Sequence, residues 1–169
     1  SFNAFYIKLI KNPSSEVQII AIDRNIESIL NMELSQTAQS YLVEHHIVNY
    51  PMIKNPTEQT KMEVVEKDGF LIKYINNPSE EIQLKAVENN TFSIGNIKNP
   101  TVKVQLLAVM KNPYSIKYIR KPSELVQLAA VKQNKSVVQY IKYPTVLVQK
   151  YVISRDYRLI SKINMPDGD

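Results

Sequence analysis

The sequence predicts an all-α solenoid, a stack of 22-residue units that each contain two helices. Three observations predict this fold: prolines recur every 22 residues, apolar residues recur at fixed places in each unit, and only three glycines occur. So few glycines argue against a turn-rich β-protein, whose tight turns depend on that residue. A regular period of this length is typical of repeat architectures. The prolines that define it are Pro13, Pro56, Pro78, Pro100, Pro122, Pro144 and Pro166.

The period divides the whole chain, 1–169, into one predicted solenoid domain. The interval of 43 residues between Pro13 and Pro56 holds two units, and Leu34 takes the place of proline in the second. Because the chain begins in mid-repeat, we expect the stack to continue in a longer chain. The predicted units are 13–33, 34–55, 56–77, 78–99, 100–121, 122–143 and 144–165, with a half unit at 1–12 and a tail at 166–169.

The first part of each unit predicts an α-helix over about positions 1–12, counting the proline as position 1. Positions 5, 9 and 10 are apolar in almost every unit, and these positions form one face of a helix. We expect the asparagine before the proline to be the N-cap, with proline at N1. Glu58, Glu80 and Glu124 would then lie at N3, where a carboxylate favours the helix dipole. Asparagine at position 13, such as Asn90, is expected to end the helix in the left-handed conformation.

The second part of each unit predicts a short helix, α or 3-10, from an apolar pair at positions 17 and 20, such as Ile94 and Ile97. One such unit is too small to bury its own apolar face, so stacking must supply the core. Position 6 is glutamine in almost every unit, and we expect these amides to hydrogen-bond the backbone of neighbouring units because buried amides need partners. These glutamines are Gln18, Gln39, Gln83, Gln105, Gln127 and Gln149.

The segments 77–87 (NPSEEIQLKAV) and 122–134 (PSELVQLAAVKQN) resemble the leucine-rich-repeat variant and, more distantly, HEAT-like helical repeats. The resemblance covers essentially the whole chain, and short units of this kind are seen in bacteria and bacteriophages. It implies an α-solenoid that serves as a binding surface for proteins or nucleic acids. The chain departs from the families in having glutamine where arginine usually follows the position-5 aliphatic residue. It also lacks the cysteines that the iron–sulfur cluster of the variant family requires.

Composition excludes several classes of function. Zero cysteine removes disulfides, thiolate metal sites and cysteine nucleophiles, and three dispersed glycines cannot form a glycine-rich phosphate loop. No apolar run approaches the ~18 residues of a membrane-spanning helix. We therefore expect a soluble, cytoplasmic protein that uses no cofactor and binds no membrane.

The sequence also gives little indication of a catalytic or metal-binding cluster. The one place where a metal site could begin is Glu44-His45-His46, but adjacent histidines on a helix point about 100° apart. We interpret His46 as a helix-end variant at the asparagine position. Paired carboxylates such as Glu80 with Glu81 are interpreted as solvated helix surface, and the serine or threonine at position 2 recurs too regularly to be a nucleophile. The prediction is a non-enzymatic protein without a metal site.

Charge is the more informative signal. Residues 1–91 contain 12 acidic and 8 basic residues, whereas residues 92–169 contain 4 acidic and 13 basic residues. Basic residues recur at positions 18 and 21, and tyrosines recur between them at position 19. A basic, tyrosine-lined stripe is what a phosphate backbone with stackable bases would use, although such tyrosines could instead pack between units. The candidate binding residues are Lys98, Lys117, Arg120, Lys121, Lys142, Tyr74, Tyr118 and Tyr140.

The sequence supports two candidate functions. The first is a non-enzymatic scaffold that binds a protein partner, favouring an acidic surface, and that serves as a phage or bacterial regulator or inhibitor. The alternative is a nucleic-acid-binding protein that uses the basic stripe with its tyrosines. A HEAT-like base glycosylase is a weaker third reading, because Glu124 is the one acid between Lys98 and Arg155 and lies at a helix start. The sequence names neither the partner nor the oligomeric state.

Overall fold

The computed structural model describes residues 4–30 and 32–164, with side chains from Tyr6 onward. Within these residues, seven α-helices alternate with eight 3-10 helices, which confirms the predicted all-α solenoid class. Predictions about Pro166, the tail 166–169 and the start of the half unit lie outside the described residues. The α-helices are α1 (Ser15–Arg24), α2 (Gln36–His45), α3 (Glu58–Lys67), α4 (Glu80–Asn89), α5 (Val102–Lys111), α6 (Glu124–Gln133) and α7 (Val146–Arg155). The 3-10 helices are η1 (Ala4–Leu9), η2 (Ile26–Ile29), η3 (Ile47–Met52), η4 (Gly69–Tyr74), η5 (Thr91–Asn96), η6 (Pro113–Tyr118), η7 (Lys135–Tyr140) and η8 (Tyr157–Lys162).

The chain forms two compact units, Ser1–Lys67 and Asp68–Asp169, here called the first and second units. Within the first unit α1 packs on α2 and α2 packs on α3. Within the second unit α4 to α7 pack in sequence, and η4 to η8 pack side by side in the same order. Each unit is thus a layer of α-helices against a layer of 3-10 helices, with the apolar core between them.

The core consists of the predicted repeat positions. Positions 9 and 10 are fully buried in α4, α5 and α6, and position 17 is buried from η1 to η7. Ile160 and Ile10 are exceptions to the predicted apolar pairs, because their side chains are 55% and 45% exposed. Among the described residues no further repeat follows Ile160, and no α-helix precedes Ile10 within its half unit. Gly69 permits the closest contact between layers, since a Cβ there would lie 2.3 Å from the carbonyl oxygen of Ala86.

Each α-helix begins two residues later than predicted. The N-cap is the serine or threonine at position 2, whose hydroxyl accepts a hydrogen bond from the amide at position 5, as Ser79 does from Ile82; Ser123 of α6 is the exception and makes no such bond. The predicted asparagine N-cap with proline at N1 is therefore wrong, and Glu58, Glu80 and Glu124 are the first helical residues, not N3. The physical reason is that a hydroxyl-bearing residue follows the proline and satisfies an otherwise orphaned amide.

The asparagine at position 13 ends the α-helix by a different mechanism from the one predicted. Asn90 has an extended backbone (φ −146°), not a left-handed one, and its side chain accepts a hydrogen bond from the amide of Phe92. It therefore caps the start of the following 3-10 helix. Left-handed asparagines occur instead at position 22, at Asn12 (φ 56°) and Asn77 (φ 48°), where the chain turns toward the next α-helix.

The glutamine at position 6 joins successive repeats at Gln18, Gln39 and Gln127, as predicted, whereas the bonds described for Gln83 and Gln105 stay within their own repeats. Gln127 Nε2 donates to the carbonyl oxygens of Pro122 (3.0 Å) and Tyr143 (3.3 Å), and its Oε1 accepts from the amide of Thr145 (3.1 Å). Gln18 and Gln39 make the same three bonds in the first unit. One side chain thus ties both ends of its own repeat to the start of the next.

We predict that Gln127→Met lowers the free energy of unfolding by about 2–4 kcal/mol, because three buried backbone groups lose their partner. Gln105→Met is the matched control, since Gln105 donates to the carbonyl of Pro100 and its Oε1 has no hydrogen-bond partner. We expect it to cost less than about 1.5 kcal/mol. Urea unfolding followed by circular dichroism measures both, and equal losses in the two variants would contradict the role assigned to Gln127.

Candidate functional site

The predicted binding residues all lie in the second unit, on the 3-10 layer. Each 3-10 helix brings positions 18 and 19 to its end, and the turn that follows presents positions 21 and 22 before the proline. Because η4 to η8 pack side by side, these positions recur along one border of the unit. We call this border the basic edge and define it as residues 69–78, 91–100, 113–122, 135–144 and 157–164.

The basic edge carries charge of one sign. Its segments contain nine lysines and arginines and no aspartate or glutamate. Lys98, Lys117, Arg120, Lys121 and Lys142 are all exposed, and none of them takes part in the ion pairs found among the described residues. The acidic residues of the described second unit lie instead on α-helices or at position 13, where Asp68 and Asp156 cap 3-10 helices.

The tyrosines of the edge pack between repeats. Tyr118 contacts Phe92 edge-on (ring centroids 5.4 Å apart) and lies over Gly95, where an added Cβ would be 3.3 Å from the Cβ of Tyr118. Tyr140 similarly contacts Tyr114 at 6.1 Å. Tyr74, Tyr118 and Tyr140 remain between 42% and 47% exposed. They are therefore partly structural and partly available to a partner.

Lysine ammonium groups lie over these rings. Lys73 Nζ lies 4.8 Å from the centroid of Tyr74, and Lys117 Nζ lies 4.6 Å from that of Tyr118. Hydrogen bonding to Tyr118 raises the pKa of Lys117 above its ordinary value. Sequence reasoning missed Tyr143, which is 62% exposed beneath Lys142 at 5.1 Å. Its place at position 22, outside the tyrosine row, gave no periodic signal. Cation–π contacts of this kind hold the lysine ammonium groups in place at the surface.

A polar cavity opens within the basic edge, between the η4 and η5 segments. Its volume is about 460 Å³. The edges of the cavity are amide-rich, and Gln83 of α4 reaches it from the core. The sequence did not predict this cavity. We call it the amide pocket, and its polar lining residues are Asn76, Asn77, Asn96, Asn99, Gln83, Lys73 and Lys98.

The first unit has a larger groove on its α-helical layer, of about 580 Å³, lined in part by Tyr41, His45, Glu63 and Lys67. Lys67 Nζ lies 2.9 Å from the Glu44 carboxylate, and Glu63 accepts a hydrogen bond from Ser40. With Glu44, Glu63 and Glu66 against the one lysine, the lining carries an excess of negative charge, opposite in sign to the basic edge.

The histidines of the first unit take part in side-chain contacts. The His45 ring stacks on Tyr41 at 4.3 Å, whereas His46 ends α2 and its Nε2 lies 3.2 Å from Asp23 Oδ1. In the described residues no cluster of three or more histidine or carboxylate side chains could hold a metal ion. The Tyr41 hydroxyl donates to the Asp23 carboxylate at 2.9 Å. This bond, and then the one with His46, holds the pKa of Asp23 below its ordinary value.

The other predicted carboxylates lie on helix surfaces. Glu80, Glu81 and Glu124 are exposed in the first turns of α4 and α6. The Glu80 carboxylate accepts a hydrogen bond from Thr101 of the next repeat. None of the described helices has the length and apolar character needed to cross a bilayer.

No protein-family model, curated protein or solved structure matches the chain.

We predict that Tyr41→Phe raises the pKa of Asp23 toward its ordinary value, because the variant lacks the hydroxyl that stabilises the carboxylate. Since the folded-state pKa of Asp23 is lowered, the ionised carboxylate stabilises the fold above its unfolded pKa. That contribution is lost as pH falls through the folded-state pKa, and the variant should lose less of it. A carbon-detected NMR titration of the carboxyl measures the shift. Tyr74→Phe, in the second unit, is the control, and an unchanged Asp23 pKa in Tyr41→Phe would refute the assignment.

Proposed function

We propose that the chain is a non-enzymatic helical-repeat protein that binds an acidic protein partner through the basic edge. The observation that carries the proposal is the separation of charge in the second unit. Exposed cations without ion-pair partners line the 3-10 layer, while the acidic residues lie elsewhere. Such a surface attracts a negatively charged partner and orients it during encounter.

The basic edge suits rapid, specific binding because it is already formed. Caps at position 13 fix the start of η5, η6 and η7, and Gln127 joins its own repeat to the next. A partner therefore pays little to order the backbone that presents the cations. We infer that binding blocks or modulates the partner, as a regulator or inhibitor does, in the cytoplasm. The likeness to the leucine-rich-repeat variant supports a scaffold role.

Two features favour a protein over a nucleic acid as the partner. Base stacking needs a free aromatic face, but Lys117 lies over the Tyr118 ring while Phe92 packs against it. The edge also includes a cavity rich in side-chain amides, which match the donors and acceptors of a peptide backbone.

A nucleic acid is the second candidate, because the edge has no carboxylate that would repel phosphates. Its signature is a steep loss of affinity with salt, with a log–log slope of about 0.9 for each duplex phosphate contacted.

The test is a charge reversal on the edge with a matched reversal on the α-helical layer. We predict that Lys98→Glu, Arg120→Glu and Lys142→Glu together abolish capture of a discrete protein from nuclease-treated bacterial lysate. The control, Lys103→Glu, Lys132→Glu and Lys150→Glu, changes the net charge equally at exposed positions of α5, α6 and α7. We expect it to retain the partner. Mass spectrometry identifies the captured protein, and native-like circular dichroism confirms that both variants fold.

Retention of the partner by the edge variant, or equal loss in both variants, would place binding outside the basic edge. Loss of all capture after nuclease treatment, with recovery of nucleic acid beforehand, would favour the second candidate.

A further inference from the structure

The tyrosine at position 19 is missing from two of the five segments of the basic edge. Positions 18 and 19 carry Lys-Tyr at 73–74 and 117–118, and Gln-Tyr at 139–140, but Gly-Asn at 95–96 and Ser-Lys at 161–162. Asn96 is much shorter than the tyrosine found in the repeats on either side of it, whereas the space beside Gly95 is taken by Tyr118 of the next repeat. The amide pocket lies beside Asn96, which is part of its lining. The short side chain of Asn96 therefore accounts for a cavity where the neighbouring repeats place a ring.

One residue of the lining, Gln83, has a buried hydrogen-bond acceptor with essentially no accessible surface, which a ligand in this space would reach only after the side-chain amide turns toward it. Gln83 is 8% exposed, and its Nε2 donates to the carbonyl of Pro78 at 3.0 Å. Its Oε1 has no partner, whereas the equivalent oxygens of Gln39 and Gln127 each accept a backbone amide of the next repeat at 3.1 Å. Leaving a buried acceptor unpaired costs about 1–3 kcal/mol. A ligand that brings an N–H group to Gln83 would recover that cost.

Gln105, one repeat later, shows that the unpaired oxygen alone does not make a site. Its Oε1 is also without a partner. Its own repeat, however, carries Lys117 and Tyr118 at the two positions that are Gly95 and Asn96 beside the amide pocket. The combination of a buried acceptor with a side-chain gap therefore distinguishes Gln83.

The lining defines the chemistry of the ligand. Four asparagine side chains offer both donors and acceptors, and Lys73 and Lys98 supply positive charge at the same cavity. The lining contains no carboxylate and no aromatic ring. A nucleobase would find no stacking surface there, whereas a peptide could pair its backbone amides with the asparagines. A cavity of about 460 Å³ lies within the range of pockets that hold ligands.

We propose that the amide pocket binds a short, extended acidic segment of a protein, whose backbone N–H donates to Gln83 Oε1 and whose carboxylates pair with Lys73 and Lys98. This inference rests on the proposed function and names the part of the partner that is read. The other cations of the basic edge attract the partner by charge alone. The amide pocket adds recognition of the peptide backbone.

The test uses fluorophore-labelled hexaglutamate, blocked at both ends, with fluorescence anisotropy as the readout. We expect Asn96→Tyr, which fills the gap with the side chain of the flanking repeats at no change in charge, to weaken binding at least about tenfold, roughly 1.4 kcal/mol. Lys98→Gln should weaken binding more than Lys103→Gln, which removes the same charge from α5. Hexaglutamate with methylated backbone nitrogens keeps its charges but loses its donors, and it should bind the unaltered protein at least about tenfold more weakly.

A second readout needs no substitution. In ¹⁵N-resolved NMR spectra of the unaltered protein, added hexaglutamate should shift the side-chain amide signals of Gln83 and Asn96 more than that of Gln139, on the same border. This measurement decides the outcome even where a variant folds poorly.

Binding by Asn96→Tyr within twofold of the unaltered protein would overturn the amide-pocket proposal, as would equal binding of the N-methylated peptide. The proposed function would survive either result if the triple reversal at Lys98, Arg120 and Lys142 still abolished partner capture. Tighter binding of labelled hexathymidylate, lost in Asn96→Tyr, would identify a nucleotide site and overturn the proposal. The absence of hexaglutamate binding would overturn it as well.

Discussion

The fold depends on how the junction between successive repeats satisfies its backbone hydrogen bonds. Proline at position 1 has no amide, and the chain turns immediately before it, so neither helix of a repeat can satisfy the polar groups there. At three of the described junctions one glutamine side chain satisfies these groups, as where Gln127 donates to Pro122 and Tyr143 and accepts from Thr145. Because these partners belong to two repeats, the same bonds that satisfy the junction also fix its spacing. The need to pair the backbone polar groups of the junction therefore also determines how the repeats stack.

This constraint determines where the repeats can differ. Positions 6, 9, 10 and 17 are committed to the junction or the core, and position 13 caps the 3-10 helix. The last two residues of each 3-10 helix in the second unit, at positions 18 and 19, have none of these roles, so they vary without disturbing the stack. Lys-Tyr at 117–118 and Gly-Asn at 95–96 occupy equivalent places with opposite effects, a filled surface and an open cavity. The differences between repeats of this regular scaffold are therefore concentrated at the basic edge.

Features that recur in every repeat could be predicted from the sequence, whereas features of a single repeat could not. The period predicted the alternation of helices, and the need to satisfy buried amides predicted the role of Gln127. The helix starts were placed wrongly because two residues, asparagine and Ser79, could each cap, and the choice depends on backbone dihedrals. The exposure of Ile160 and the cavity at Asn96 depend on which repeat lies alongside. A periodic pattern describes the average repeat, so it does not reveal features that depend on one particular neighbour.

The two compact units differ in how far their surface cations are paired with carboxylates. In the first unit, lysines such as Lys54, Lys61 and Lys67 each lie within 4 Å of a carboxylate. In the described second unit, the cations of the basic edge have no such partners, apart from Arg158 beside Asp156. Like charges on one border that lack ion-pair partners repel one another and therefore oppose folding. An acidic partner of the kind proposed above would relieve that repulsion on binding.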